Sequence, residues 1–297
     1  MFFVDVGAKD SLESIERLSS IIDIVGFEPN PKEFSILERK YLNNNFKSLQ
    51  LEKSGLSDED GKMTFNITKH SSMSSLLDLD LDNYKKHFGS YKEFENWENN
   101  VEVEQSIKVT CTTIDNYFKE DTSKIDFLKI DTQGTELKIL RGAQKLLDQK
   151  RIFVLKIEVS TVATYKDQEM FSDIDIYLRK KGYVLVDFIT YKERYEPVFG
   201  KQHFKRSHYA PCGDAIYVLD TKFQNNAAKI KSGILLLWLG YYSLGMFFLK
   251  NTNLMEEEIK LILKFNFGNL KNSVKQLIKN LVPPIFLYWI KRMIHFI

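Results

Sequence analysis

Cysteine is nearly missing from this chain: Cys111 and Cys212 stand alone among 297 residues. Two thiols cannot build a disulfide framework, and they lack the paired spacing of a zinc site, so a reducing, cytoplasmic setting is expected. No charge of one sign dominates either. The 42 lysines and arginines against 40 aspartates and glutamates leave a formal charge of +2. Nothing global therefore suggests a basic footprint, and no nucleic-acid partner is expected. Met1 runs at once into Phe2-Phe3-Val4-Asp5, so no signal peptide is expected there. The stretch without a charge from Gly233 to Leu249 is 17 residues long, counting both ends. A spanning helix needs about 20, which leaves a single span marginal. What the chain does contain, 43% apolar and 28% charged residues, suits one large α/β domain with an appendage.

The opening 31 residues read as strand, glycine turn, helix, strand and acid. Phe2-Phe3-Val4-Asp5-Val6 is a short apolar run, Gly7-Ala8 a turn, and Leu12, Ile15 and Leu18 mark a helical face. Ile21 to Phe27 is a second apolar run that ends on Glu28. In a βαβ unit the first turn lets a cofactor approach the backbone, and a carboxylate about 20 residues on can accept hydrogen bonds from ribose hydroxyls. Gly7 and Glu28 have that spacing. A full G-x-G-x-x-G would need glycine where Lys9 and Leu12 stand. A nicotinamide-dependent oxidoreductase would use the same Glu28 but lacks its pyrophosphate cradle here.

Further along, Pro29-Asn30-Pro31 predicts a helix start, with Asn30 as N-cap and Pro31 at the first helical position. Phe34, Leu37 and Tyr41 would be its buried face. Phe46–Leu51 and Met63–Ile67 alternate as strands, and the turn at Asp60-Gly61 predicts that they form a hairpin. His70 to Leu76 is a serine-rich loop. The aromatics between Asp78 and Asn100, among them Tyr84 and Trp97, suit an irregular cap over a site. Val101–Val109 alternates as an edge strand, and Thr112–Phe118 predicts a short helix.

Asp126 to Asp131 is the next sheet strand, followed by a helix with Leu137, Leu140, Ala143, Leu146 and Leu147 on its apolar face. Arg151–Glu158 is a strand, and Met170–Lys181 a helix capped by Gly182. Tyr183–Ile189 and Asp214–Leu219 complete the sheet, with a basic aromatic loop between them that carries His203, Lys205, Arg206 and His208. Ligands in an open α/β sheet bind outside the carboxyl ends of the strands. Asp131 and Glu158 would meet in the crevice that holds Gly7 and Glu28. Asp131 could instead be a helix N-terminal acid that satisfies backbone donors. Together the two carboxylates could order a substrate hydroxyl, act as a base or hold a divalent metal.

Four ordered stretches resemble the motifs of the FkbM family of S-adenosyl-L-methionine-dependent methyltransferases: Val4-Asp5-Val6-Gly7-Ala8, Phe27-Glu28-Pro29-Asn30-Pro31, Ser72-Met73-Ser74-Ser75-Leu76, and Leu128-Lys129-Ile130-Asp131-Thr132-Gln133-Gly134-Thr135-Glu136. The resemblance covers roughly residues 2 to 220. It implies a doubly wound, Rossmann-like sheet with an antiparallel edge pair, and transfer of a methyl group to oxygen. It implies that Gly7 and Ala8 cradle the methionine portion, that Glu28 and Pro29 hold the ribose, and that Asp5 supports the turn. Ser57 would lie by the adenine, and the serine loop at the mouth of the site. Asp131 and Gln133 would lie near the reacting centre, and Asp131, Glu158 or His208 would be the base. Acceptors in such a family are sugars, polysaccharide precursors or other secondary metabolites. Domains of this kind usually carry a helix before the first strand, so a shortened member or a fragment is expected. Ser11 departs from the pattern where a second glycine is usual, and Lys9 stands at a commonly Asn position.

The expected division is a methyltransferase domain over 1–224 and a helical, partly apolar tail over 225–297. Residues 233–249 and 281–297 mix apolar, aromatic and cationic side chains suited to a membrane surface. The same residues could instead be helices packed on the catalytic domain or on a second subunit, and with the Ser11 departure the tail leaves a non-catalytic, membrane-associated interaction module on the same fold as the alternative to an enzyme.

Overall fold

The two apolar runs at the start pair as parallel neighbours, β1 (Phe2–Val6) and β2 (Asp23–Phe27), with Phe2 opposite Asp23 and Val6 opposite Phe27. The computed structural model describes residues 1–9, 12–43, 46–83, 101–121, 123–194 and 208–268. The link between β1 and β2 is a single α turn, α1 (Leu12–Ile15), that tightens into a 3-10 segment over Glu16–Ile21. Leu12 and Ile15 point into the core as their spacing predicts. Helix α2 (Pro31–Lys40) starts as expected: the Asn30 side chain accepts from the Lys32 N–H at 3.1 Å, and Pro31 occupies the first turn, where no donor is required.

The main sheet continues with β3 (Ser48–Glu52) beside β2, and the chain then leaves it for β4 (Gly55–Leu56), β5 (Gly61–Thr68), β6 (Val103–Thr112) and α3 (Ile114–Tyr117). It returns through β7 (Ile125–Ile130), α4 (Glu136–Arg141), α5 (Gln144–Asp148), β8 (Ile152–Ser160), α6 (Phe171–Lys180), β9 (Tyr183–Arg194) and β10 (His208–Leu219). The seven strands lie in the order β3-β2-β1-β7-β8-β10-β9. All are parallel up to β8, and β10 runs antiparallel to both β8 and β9. Strands β7 and β8 are buried along most of their length because both their faces are covered, as in any doubly wound sheet. The strand order reverses between β1 and β7, which opens a crevice at their carboxyl ends.

Two strand expectations are corrected. The strands flanking Asp60-Gly61 form no hairpin: β3 pairs in parallel with β2, whereas β5 belongs to a separate three-stranded sheet of order β4-β6-β5. Nor is β6 an edge strand, since it lies between β4 and β5. The cause is apolar matching. Phe65 sits opposite Ile107 and Met63 opposite Val109, and Phe65, Val109 and Cys111 form a small buried core. The β9 and β10 strands also run further than expected, to Arg194 and from His208, as one long antiparallel ribbon. The cap aromatics Tyr84 and Trp97 and most of the basic loop, His203, Lys205 and Arg206 included, lie outside the described residues.

By internal packing the chain divides into two units, Met1–Ala228 and Lys229–Ile297. The apolar run from Gly233 to Leu249 is not one helix. It is split between α7 (Asn226–Trp238) and α8 (Tyr242–Lys250), with Gly240 at φ +94° between them. A Cβ on Gly245 would lie 2.9 Å from the Gly233 carbonyl oxygen, so the two helices approach backbone to backbone. Leu237 and Leu249 then pack with Ile259 of α9 (Glu256–Gly268). The single-span expectation is corrected accordingly: among the described residues no helix is long and apolar enough to cross a membrane. Residues 281–297 lie outside the described residues.

Candidate active site

The site begins at the β1 turn. Gly7 has φ +79°, and a Cβ there would lie 1.9 Å from the Asp131 carbonyl oxygen, so only glycine fits both the backbone angle and the space. The N–H groups of Gly7 and Ala8 both donate to the Phe27 carbonyl at 3.1 Å, and the Asp131 N–H donates to the Val6 carbonyl at 3.0 Å. The ends of β1, β2 and β7 are thereby fastened together. Ala8 is fully buried beneath the turn.

Register then decides which charges meet. Asp5 lies opposite Lys129, and Asp131, two residues on, shares the Lys129 face of β7. The largely buried Lys129 ammonium, 13% exposed, lies 3.4 Å from Asp5 Oδ1 and 3.2 Å from Asp131 Oδ2, and it donates to the Gly7 carbonyl at 3.3 Å. Burial by itself would lower the Lys129 pKa, but the two aspartates outweigh it and push it up. On the other side, Ile130 pairs with Ile157 and Glu158 with Asp214, so Asp131, Glu158 and Asp214 fall in one row across three strands. Lys156 holds Asp214 at 2.8 Å.

The row does not ionise evenly. Burial pushes Glu158 well above the usual carboxylate range, and the neighbouring Asp131 charge adds to the effect. Burial acts on Asp131 in the same direction, but Lys129 overrides it and holds Asp131 below its ordinary value. Gln133 Nε2 donates to Glu158 Oε2 at 2.6 Å and reaches Asp131 Oδ1 at 3.5 Å, bridging the two. Gln133 sits at φ 60° in a loop whose backbone donors are taken by Glu136: its carboxylate accepts from the N–H groups of Thr132 and Gly134 at 3.0 and 3.1 Å. The buried acid that satisfies donors at the head of α4 is thus Glu136, and burial raises its pKa to about 7.

Glu28 closes the β2 end of the crevice. It is 6% exposed, accepts from the Asn30 N–H at 2.8 Å, and donates its own N–H to the Glu52 carbonyl at 3.0 Å. Burial raises its pKa to about 7, with Asn30 pulling the other way and Glu33 adding to the rise. Pro29 is half-buried beside it.

The serine loop lies across the mouth. Ser75 Oγ donates to the Gln133 carbonyl at 2.6 Å, while Lys9 Nζ donates to Ser71 Oγ and Ser72 Oγ at 2.7 and 3.0 Å. Tyr165 fastens the same loop, its hydroxyl lying 3.0 Å from the Met73 carbonyl and 3.3 Å from Gln133 Oε1.

Asp5, Gly7, Ala8, Glu28, Asp131, Gln133 and Glu158 therefore share the carboxyl edge of the sheet. Ser57 is buried, with its N–H on the Thr112 carbonyl at 3.0 Å and its hydroxyl donating to Asp58 at 3.0 Å. His208 begins β10 opposite Arg194, and its side chain lies outside the described residues, as does Ser11. Among the described residues no group of three or more histidines, cysteines or acids is placed to hold a metal ion. Sequence reasoning missed the bridging part of Lys129, whose signal is a lone cation in a buried apolar strand, and missed Tyr165, which carries no signal.

The profile of the methyltransferase FkbM domain matches residues 5–185. No curated protein matches the chain. Among solved structures, a precorrin-6y C5,15-methyltransferase from Geobacter metallireducens is 12% identical with a TM-score of 0.37, over 73% of this chain and 80% of that one. An rRNA methylase from Streptococcus thermophilus is 10% identical with a TM-score of 0.33, over 74% and 87%. Aeropyrum pernix fibrillarin, solved with S-adenosyl-L-methionine, is 11% identical with a TM-score of 0.35, over 73% and 65%. The profile match runs from Asp5 in β1 into β9 and takes in both ends of the crevice, so the chain belongs to the FkbM methyltransferase family and uses S-adenosyl-L-methionine.

Proposed function

We propose that the protein methylates a hydroxyl oxygen of a small acceptor, a sugar, polysaccharide precursor or secondary metabolite, with Asp131 taking the proton. The observation that carries this is the Asp131–Glu158 pair, bridged by Gln133, in which Lys129 at 3.2 Å lowers the pKa of one carboxyl while burial raises that of its neighbour. An ionised carboxylate beside a neutral carboxyl can accept a hydroxyl proton and order a second oxygen. The near-neutral charge of the chain supports a small acceptor over a nucleic acid.

The residues fit the cofactor. Gly7 at φ +79° lets the β1 turn close directly onto the Asp131 carbonyl, forming the tight turn at the crevice, and Glu28 is a buried carboxylate with a single described backbone donor, suited to ribose hydroxyls. When bound, S-adenosyl-L-methionine supplies a methyl group activated on a sulfonium. The backbone of the Gly7-Ala8 turn and Pro29 would hold it, Asp5 would support the turn through Lys129, and Ser57 would lie towards the adenine end. Asp131 would accept the proton of the acceptor hydroxyl. Gln133 keeps Asp131 and Glu158 in register, so the chain's main contribution is position.

The test is methyl-labelled cofactor with a panel of saccharides, phenols and polyols, each product's attachment atom being read by mass spectrometry and NMR. Asp131→Asn should cut turnover by about a hundredfold or more while leaving cofactor affinity within about threefold. Label found only on nitrogen, carbon or nucleic acid, or full turnover by Asp131→Asn, overturns the proposal.

A further inference from the structure

The lysines at the carboxyl edge differ in how far their charges are already answered. Lys129 lies between two aspartates at 3.4 and 3.2 Å, and Lys156 is 2.8 Å from Asp214. Lys9 is placed differently. It follows Gly7 by two residues, and its hydrogen bonds go to the neutral hydroxyls of Ser71 and Ser72 at 2.7 and 3.0 Å. Its described carboxylate contact, Glu33, is 3.8 Å away, beyond hydrogen-bond reach. The Lys9 side chain is 24% exposed, so its charge is both accessible and loosely compensated.

The two serines add to this. A hydroxyl that accepts from an ammonium keeps its own O–H to donate. Lys9, Ser71 and Ser72 thus present one ammonium and two hydroxyl donors beside the turn. The acids around that turn, Asp5, Glu28 and Glu33, are all buried, and a further carboxylate arriving there unpaired would be repelled. Any anion bound at this end needs a cation, and Lys9, two residues past Gly7 and hydrogen-bonded to neutral hydroxyls, is the lysine that the turn itself supplies.

We propose that Lys9, with Ser71 and Ser72, binds the α-carboxylate at the amino-acid end of the cofactor. This rests on the methyltransferase reading of the Gly7 turn. The serine loop is then part of the cofactor site, clamped on one side by Lys9 and on the other by Gln133 and Tyr165. Lys9 is a binding residue that discriminates ligands by their carboxylate and takes no part in proton transfer.

The experiment compares two ligands by calorimetry on the full chain. S-adenosylhomocysteine carries the α-carboxylate; 5′-methylthioadenosine keeps the nucleoside and sulfur but lacks the amino-acid end. Lys9→Met should weaken S-adenosylhomocysteine by about tenfold to a hundredfold, the range for a hydrogen bond to a charged group, and leave methylthioadenosine within about twofold. Lys9→Arg should retain most of the preference, and the double change Ser71→Ala with Ser72→Ala should lose several-fold on S-adenosylhomocysteine alone. Equal losses on both ligands would assign Lys9 to holding the loop and overturn the proposal, as would no loss on either. Wild-type chain that binds neither ligand overturns the cofactor reading and this proposal with it, a result distinct from binding both without a Lys9 effect. If Lys9→Met unfolds, the serine double variant decides by the same comparison.

Discussion

Glu28 gives the sharpest quantitative expectation. Its carboxyl is 6% exposed, with a pKa raised from 4.5 to about 7 by burial and by the acids beside it. Ribose hydroxyls donate to the ionised form, so nucleoside binding must remove the proton that burial favours. With a pKa of about 7, roughly one-eleventh of the molecules are ionised at pH 6 and ten-elevenths at pH 8. Affinity for a nucleoside should therefore rise about tenfold over that interval, with proton release at the lower pH. The ligand for the assay is 5′-methylthioadenosine, which has no α-amino group to titrate near pH 8. Calorimetry in two buffers of different ionisation enthalpy counts the protons, and Glu28→Gln supplies the flat reference. Wild-type affinity constant within twofold from pH 6 to 8, or proton uptake on binding, would refute the reasoning.

The same shift has a cost in the ligand-free protein, and its sign can be worked out. The folded-state pKa lies above the unfolded value, so the group's contribution to stability is fully present below pH 4.5 and is lost as pH climbs through about 7. At about 1.4 kcal/mol for each tenfold in proton affinity, the loss amounts to about 3 kcal/mol. Glu28→Gln should then be more stable than wild type at pH 8 by up to that amount and equal to it near pH 4. Denaturant titration at the two pH values measures the difference. A carboxylate retained at such a cost is explained by a ligand that requires it, which is why greater stability and poorer nucleoside binding should appear in the same variant.

Two further outcomes follow from the turn and from the carboxylate row. Gly7→Ala places a Cβ 1.9 Å from the Asp131 carbonyl at φ +79°, so it should destabilise the fold by about 2 kcal/mol or more and abolish nucleoside binding, read by thermal melt and calorimetry. Glu158→Gln keeps an acceptor for Gln133 Nε2 but cannot ionise. In wild type, ionisation of Glu158 above the usual carboxylate range raises the proton affinity of Asp131, so turnover should climb with pH there; the variant's profile should be flat, and an unchanged slope would remove Glu158 from the pair.

Much of the main sheet was legible because its signals are local. The apolar runs at Phe2–Val6 and Asp23–Phe27, the Asn30 cap and the Pro31 start each depend on residues within a few positions of one another. The errors came where pairing is distant. β5 meets β6 across about 40 residues, and nothing near Asp60-Gly61 says that its partner lies so far along the chain. The break in the tail was hidden for a related reason. Hydropathy averages over Gly240, whereas the backbone turns there because Gly233 and Gly245 allow two helices to close on each other. Tyr165 reaches the serine loop across 92 residues and has no sequence signature.

The chemistry of the site depends on register more than on any motif. Asp131 and Glu158 were expected to share the crevice, but which of them stays ionised is decided by Lys129, whose position opposite Asp5 is fixed by how β7 pairs with β1. Without that ammonium, the row of Asp131, Glu158 and Asp214 would be answered only by Lys156 at its far end, and the lowest-cost arrangement would put protons on the carboxyls nearest the crevice. With it, Asp131 becomes the more acidic member of the row, and the proton is held more tightly one strand along, at Glu158. Lys129 is itself unsuited to be the base, since the two aspartates push its pKa up and keep its proton in place. A one-residue slip of β7 would turn Lys129 and Asp131 together to the other face of the sheet, leaving Asp5 buried without its ammonium and taking Asp131 out of the row with Glu158.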